Sequence, residues 1–168
     1  MATFEQALVA FYGGELLGET AYSVLYAAAT DRIEKRKWAT LLQLETETKA
    51  WLRAFMLARD LSVAEDLADR TAAATMAQAM VGVAWRQQMQ MLSHGITAEY
   101  LPKYRAYATA VEARGEAQAA AVCWHMVAHE AAQAEFARRE LAGDNETSLA
   151  PIEGLLRYPL DSHGSAGS

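Results

Sequence analysis

Residues 116–141 read EAQAAAVCWHMVAHEAAQAEFARREL, and the spacing of their apolar side chains decides the fold. Ala119, Val122, Met126, Phe136 and Ala137 fall on one face of a helix, because positions three and four apart share a side. Gly115 marks a turn before the stretch, so a long helix is expected from about Glu116 to Leu141. The apolar face is not purely apolar. Glu130 and Gln133 lie on it, and His129 lies at its edge.

Working outward, the same periodicity recurs in earlier segments. A first helix is expected over roughly Thr3 to Ala29, with Leu8, Tyr12, Tyr22 and Tyr26 on a face that also holds Glu15 and Glu19. Asp31 followed by Glu34 is a capping-box pattern and opens a second helix to about Asp60. Its face is Trp38, Leu41, Leu42, Leu52, Phe55 and Met56, with Glu45 in the middle and Thr48 one turn on. Ser62 with Glu65 repeats the cap and predicts a third helix to about Ser93, stopped by Gly95. A shorter helix is expected over about Ala98 to Ala113, disturbed by Pro102 near its start.

Composition agrees. The chain has 168 residues and three prolines, Pro102, Pro151 and Pro159, so its first hundred residues are free of the strongest helix breaker. Short connections between long helices favour antiparallel neighbours. The expected fold is all-α: an antiparallel bundle of four long helices plus a shorter one, over residues 1–142. Residues 143–168 read as an extended C-terminal tail with a disordered end, of which Ile152 to Leu160 is apolar enough to lie against the bundle.

Charge and cysteine content narrow the function classes. A net charge of -6 argues against nucleic-acid binding. The one cysteine, Cys123, allows no internal disulfide and has no basic neighbour in sequence to activate its thiol. No signal-peptide pattern and no membrane-spanning run is seen, so a cytoplasmic protein is expected. No glycine-rich phosphate loop, nucleophile elbow or paired-cysteine metal site occurs. Trp51, Trp85 and Trp124 lie off their helices' core stripes, which suggests either a homodimer through exposed tryptophan faces or packing by the tail.

The informative feature is the set of inward glutamates. A buried carboxylate is costly unless it is paired, protonated, hydrogen-bonded or metal-bound. Three helices each place acids on their inner faces, and oxygen and imidazole ligands suit hard metal ions. Here the sequence resembles the ferritin-like superfamily, in particular the rubrerythrin-type di-iron carboxylate proteins. Gly18-Glu19 with the Tyr22 and Tyr26 face looks like that family's first element. Leu44-Glu45-Thr46-Glu47-Thr48 looks like the second, and the run from Ala128 to Phe136 like the fourth. The resemblance covers about residues 5 to 140.

The departures from the family pattern are specific. Thr48 and Gln133 stand where its motif histidines would be. The face Tyr100, Tyr104, Tyr107, Ala108 and Val111 carries no carboxylate, and neither does the third helix's face of Met76, Met80, Val83, Gln87, Met91 and His94. The usual di-iron ligand set cannot be assembled from these residues. The candidate metal ligands are Glu19, Glu45 and Glu130, with His129 and Glu15 as auxiliaries. Three expectations stay open: an iron or manganese centre with altered ligands and oxidoreductase-type chemistry; a metal-free binding or assembly module with structural carboxylates; and a haem-oxygenase-like fold with a small-molecule pocket.

Overall fold

A computed structural model describes residues 2–159; the disorder expected of the chain's last several residues concerns positions outside that range. Every regular element among the described residues is a helix. The first, α1 (Phe4–Ala28), starts on Thr3, whose hydroxyl accepts the Gln6 N–H while the Gln6 side chain accepts the Thr3 N–H. Asp31 caps α2 (Arg32–Leu57) by accepting from the N–H groups of Ile33 and Glu34. These two helices form the first antiparallel pair.

Residues 58–84 then cross back along the bundle, carrying α3 (Leu67–Gln78) against α1. The contacts climb α1 in order. The Tyr12 hydroxyl donates to the Val63 carbonyl, Arg70 pairs with Glu19, and Ala77 shares a core cluster with Leu25. The fourth rod is α4 (Trp85–Gly95), a π-helical turn (Ile96–Tyr100) and α5 (Leu101–Glu112), running antiparallel to α6 (Ala117–Ala142). The helices therefore run up and down, cross over, then run down and up. A short α7 (Ala150–Glu153) folds back on α6 and buries Ile152, and Leu156 follows it inward, as the tail's apolar character suggested.

Two boundaries differ from the sequence reading. The single helix expected over Ser62–Ser93 is two helices. Asp66 rather than Ser62 caps α3, accepting the Ala68 N–H, and Ser62 closes a tight turn on the Ala64 N–H instead. Gly82 takes a φ of +77, a left-handed conformation that interrupts the hydrogen-bond ladder and separates α3 from α4. Conversely, Gly95 does not stop the helix. Its backbone is right-handed, and the rod continues through the π turn, where the Leu101 N–H reaches the Ile96 carbonyl. The wider turn sits just before Pro102, which has no N–H to offer the ladder.

Several side chains also sit elsewhere than their stripes implied. Tyr26, Met76 and Met91 are exposed. Trp85 packs edge-on against Trp38, while Trp51 and Trp124 stay partly exposed at 38% and 39%. Two apolar clusters fill the core. One gathers Phe4, Leu8, Phe11, Leu52, Met56 and Met126. The other gathers Tyr22, Leu25, Trp38, Leu41, Met89 and Phe136. Along α1, α2 and α6, buried polar residues lie between these clusters: Glu15, Glu45, Thr48, His129 and Glu130.

At the far end of the second cluster, Lys37 on α2 and Glu140 on α6 form a buried ion pair at 2.5 Å, and the Trp85 indole N–H donates to the same carboxylate at 2.7 Å. Removing one partner of a buried pair strands the other charge. Lys37→Met should therefore lower unfolding free energy by about 3–5 kcal/mol in urea denaturation, and adding Glu140→Leu should recover most of that loss.

Candidate metal centre

Between the two apolar clusters, α1 contributes Glu15, α2 contributes Glu45 and Thr48, and α6 contributes His129, Glu130 and Gln133, all buried. Glu15, Glu45, Thr48, His129 and Glu130 each lie between the upper and lower core residues of their helix, and Gln133 follows one turn after His129. One ligand atom each from Glu15, Glu45 and His129 lies within 4.8 Å of the others. His129 Nε2 is 3.2 Å from Glu45 Oε1 and 3.7 Å from Glu15 Oε1. On the other side of the ring, Nδ1 is 3.3 Å from the Thr48 hydroxyl.

A hydrogen-bond chain fixes one wall of the group. The Tyr22 hydroxyl donates to the Gln133 side-chain carbonyl, and the Gln133 amide donates to Glu45 Oε1 at 2.7 Å. Glycine makes room on the α1 side. A Cβ at Gly18 would overlap the Glu45 carboxylate, and one at Gly14 would overlap the Tyr104 hydroxyl. Glu15 is different. Neither of its oxygens has a hydrogen-bond partner among the described residues, and neither does the Tyr104 hydroxyl.

Burial raises the Glu15 carboxyl well above its usual range, and the charges of Glu45 and Glu130 push the same way. Burial also raises Glu130, to about 7, against the opposing pull of His129 and with help from Glu45. Burial disfavours the His129 cation, yet the Glu45 charge and hydrogen bond, with Glu130, leave its value raised. One imidazole thus faces three acids in a dry layer. Such a group holds protons or a cation.

The structure brings four of the five candidate ligands, Glu15, Glu45, His129 and Glu130, into this layer and places Glu19 outside it. Glu19 pairs with Lys49 and Arg70, and accepts from the Thr46 hydroxyl. Glu65 on the crossover joins that outer cluster through Lys49, Arg53 and Arg70, and the hydrogen bonds from Lys49 and Arg70 hold its carboxyl down at about 2. Sequence reading missed the Tyr104 hydroxyl as a member of the inner layer and Lys49 as the partner of Glu19. The close approaches at Gly14 and Gly18 also went unread, because what packs against them comes from other helices. Elsewhere, burial pushes the Cys123 thiol up to about 11, in keeping with an unreactive cysteine. His125 stacks edge-on against Trp51.

The donor set fits a metal ion. It offers carboxylate oxygens and one imidazole nitrogen from three helices, and an unpartnered buried carboxylate is a ligand in search of a charge. Compared with protein-family models, with curated proteins and with solved structures, the chain matches none. No helix among the described residues is long and apolar enough to cross a membrane.

The layer's protons link stability to pH. The folded Glu130 keeps its proton to about 7, whereas the unfolded carboxyl loses it near 4.5. Between those values the fold binds the extra proton, so stability falls as pH rises across the window. Glu15 and His129, both raised, act in the same direction. Thermal melts of the chelator-treated protein should show a lower Tm at pH 8 than at pH 5, and Glu130→Gln should flatten the difference.

Proposed function

We propose that the chain is a ferritin-like bundle holding one iron or manganese ion through Glu15, Glu45 and His129, with Glu130 beside them. The observation that carries this reading is the Glu15 carboxylate, buried and unpartnered within ligand distance of a second acid and an imidazole. Two antiparallel helix pairs joined by one long crossover support the ferritin-like part. The departures at Thr48 and Gln133 then have a role. Thr48 orients the imidazole by hydrogen bonding Nδ1, which leaves Nε2 turned toward the acids, and Gln133 holds the Glu45 carboxylate. His129, one turn before Gln133, supplies the nitrogen ligand.

Bound there, such an ion would supply one-electron redox chemistry. The chain's own part is positional and protonic. The apolar clusters above and below restrict the approach of water to the cavity side. The Glu130 carboxyl, titrating near neutrality, can hold or release a proton beside the ligands. Three ligands plus Glu130 suit a single ion rather than the family's usual pair.

A second reading keeps the fold and drops the metal. It is favoured by the Tyr22–Gln133–Glu45 chain, which already satisfies the Glu45 oxygen. Under that reading the acids are structural and the bundle is a binding or assembly module.

Titration of chelator-treated protein with manganese should show one ion per chain and a raised Tm, and Glu15→Gln should weaken the affinity by about ten-fold or more. Protein purified with iron or manganese that carries no stoichiometric metal and melts unchanged would overturn the metal reading. In that event a tolerated or stabilising Glu45→Gln would support the structural one.

A further inference from the structure

A cavity of about 380 Å³ opens between α3 and α4 and leads to the acidic layer. Its rim includes Met76 and Met91, both exposed. Its walls are apolar, with Leu17, Leu25, Met80 and Leu92 among them. Its buried polar lining is Glu45, Glu130 and Gln133 with the Tyr22 hydroxyl bonded to Gln133, and Tyr100 adds a half-buried hydroxyl. We infer that this cavity binds an uncharged apolar molecule of roughly ten carbon atoms, with its one polar group against Glu130 and Gln133.

Three observations carry the inference. The first is size. A cavity of about 150 Å³ takes benzene, so this one takes a molecule about twice as large or more. The second is charge. The polar lining has more acids than bases, which disfavours an anionic head group such as a fatty carboxylate and favours a hydroxyl that can donate to Glu130. The third is Gly95. It lines the cavity in ordinary helical backbone, and a Cβ there would meet nothing within 4 Å among the described residues. Glycine inside a helix is less favourable than alanine, and no steric contact requires it here. The space is therefore kept open against local stability. Methionines at the rim add side chains that adapt to ligand shape.

The inference takes its orientation from the reading of the polar centre as the reactive end; the binding itself does not need a metal. The test uses chelator-treated full-length protein and the fluorescent neutral probe N-phenylnaphthylamine. Saturable binding is expected, with displacement by decanol and about ten-fold weaker displacement by decanoate. Gly95→Leu should weaken probe binding by about ten-fold or more with no fall in Tm, and Ala21→Leu, from the facing wall, should weaken it as well. Lys103→Ala, an exposed position outside the cavity lining, should bind the probe normally. No saturable binding, unaltered binding in both filled variants, or decanoate competing as well as decanol would overturn the inference. If manganese fails to bind while the probe binds as described, the metal reading falls and the cavity assignment stands.

Discussion

A carboxylate taken out of water has to find a proton, a donor or a cation, and this bundle takes out three of them at one level. That requirement organises the rest of the molecule. Two apolar clusters close the layer from above and below, which leaves the apolar-walled cavity between α3 and α4 as the approach to it. Glycines on α1 let the Glu45 carboxylate and the Tyr104 hydroxyl press against helix backbone. Thr48, Gln133 and Tyr22 are arranged around the histidine and Glu45; of the other two acids, Glu15 has no hydrogen-bond partner on either oxygen. A layer of this kind is not needed to hold helices together, since well-packed apolar side chains of similar volume do that at least as well.

The contrast with the neighbouring ionic cluster sharpens the point. One helical turn from Glu15, Glu19 sits with Glu65 among Lys49, Arg53 and Arg70. Two acids there meet three cations, and the group ties the crossover to α1 and α2. The inner layer has three acids and one imidazole. The same chain therefore balances charge where it needs a clamp and leaves it unbalanced where the helices converge. Lys49, four residues after Glu45 on α2, points to the outer group and gives the inner one nothing.

The periodic helices were readable because apolar spacing and capping residues act locally. That covers α1, α2 and α6, and the inward register of Glu15, Glu45, Glu130 and Gln133. What separates Glu15 from Glu19 is not local. Both lie on the inner face of α1, and only the crossover, by delivering Glu65 and Arg70, decides which belongs to which cluster. His129 looked like an edge residue because a single helix has an edge; packed by neighbours on several sides, α6 buries it fully. The break at Gly82 was hidden because Met76, Met80 and Val83 carry the apolar period straight across it. Tyr104 was visible as a core aromatic, but its closeness to the acids depends on how α5 is rotated against α1.

That rotation is set by the π turn. Along the fourth rod the buried positions step from Ile96 to Leu101, an interval of five where an α-helix offers three or four. Shortening this turn by one residue would restore the ordinary interval of four from Ile96, so Leu101 and everything downstream would keep their faces. Straightening the turn at constant length would instead swing α5 by about 100° and take Tyr104 from the acids, while Trp85 and Met89 kept their seats. The wide turn thus absorbs one extra residue and keeps in phase two half-rods whose sequences are otherwise one position out of step.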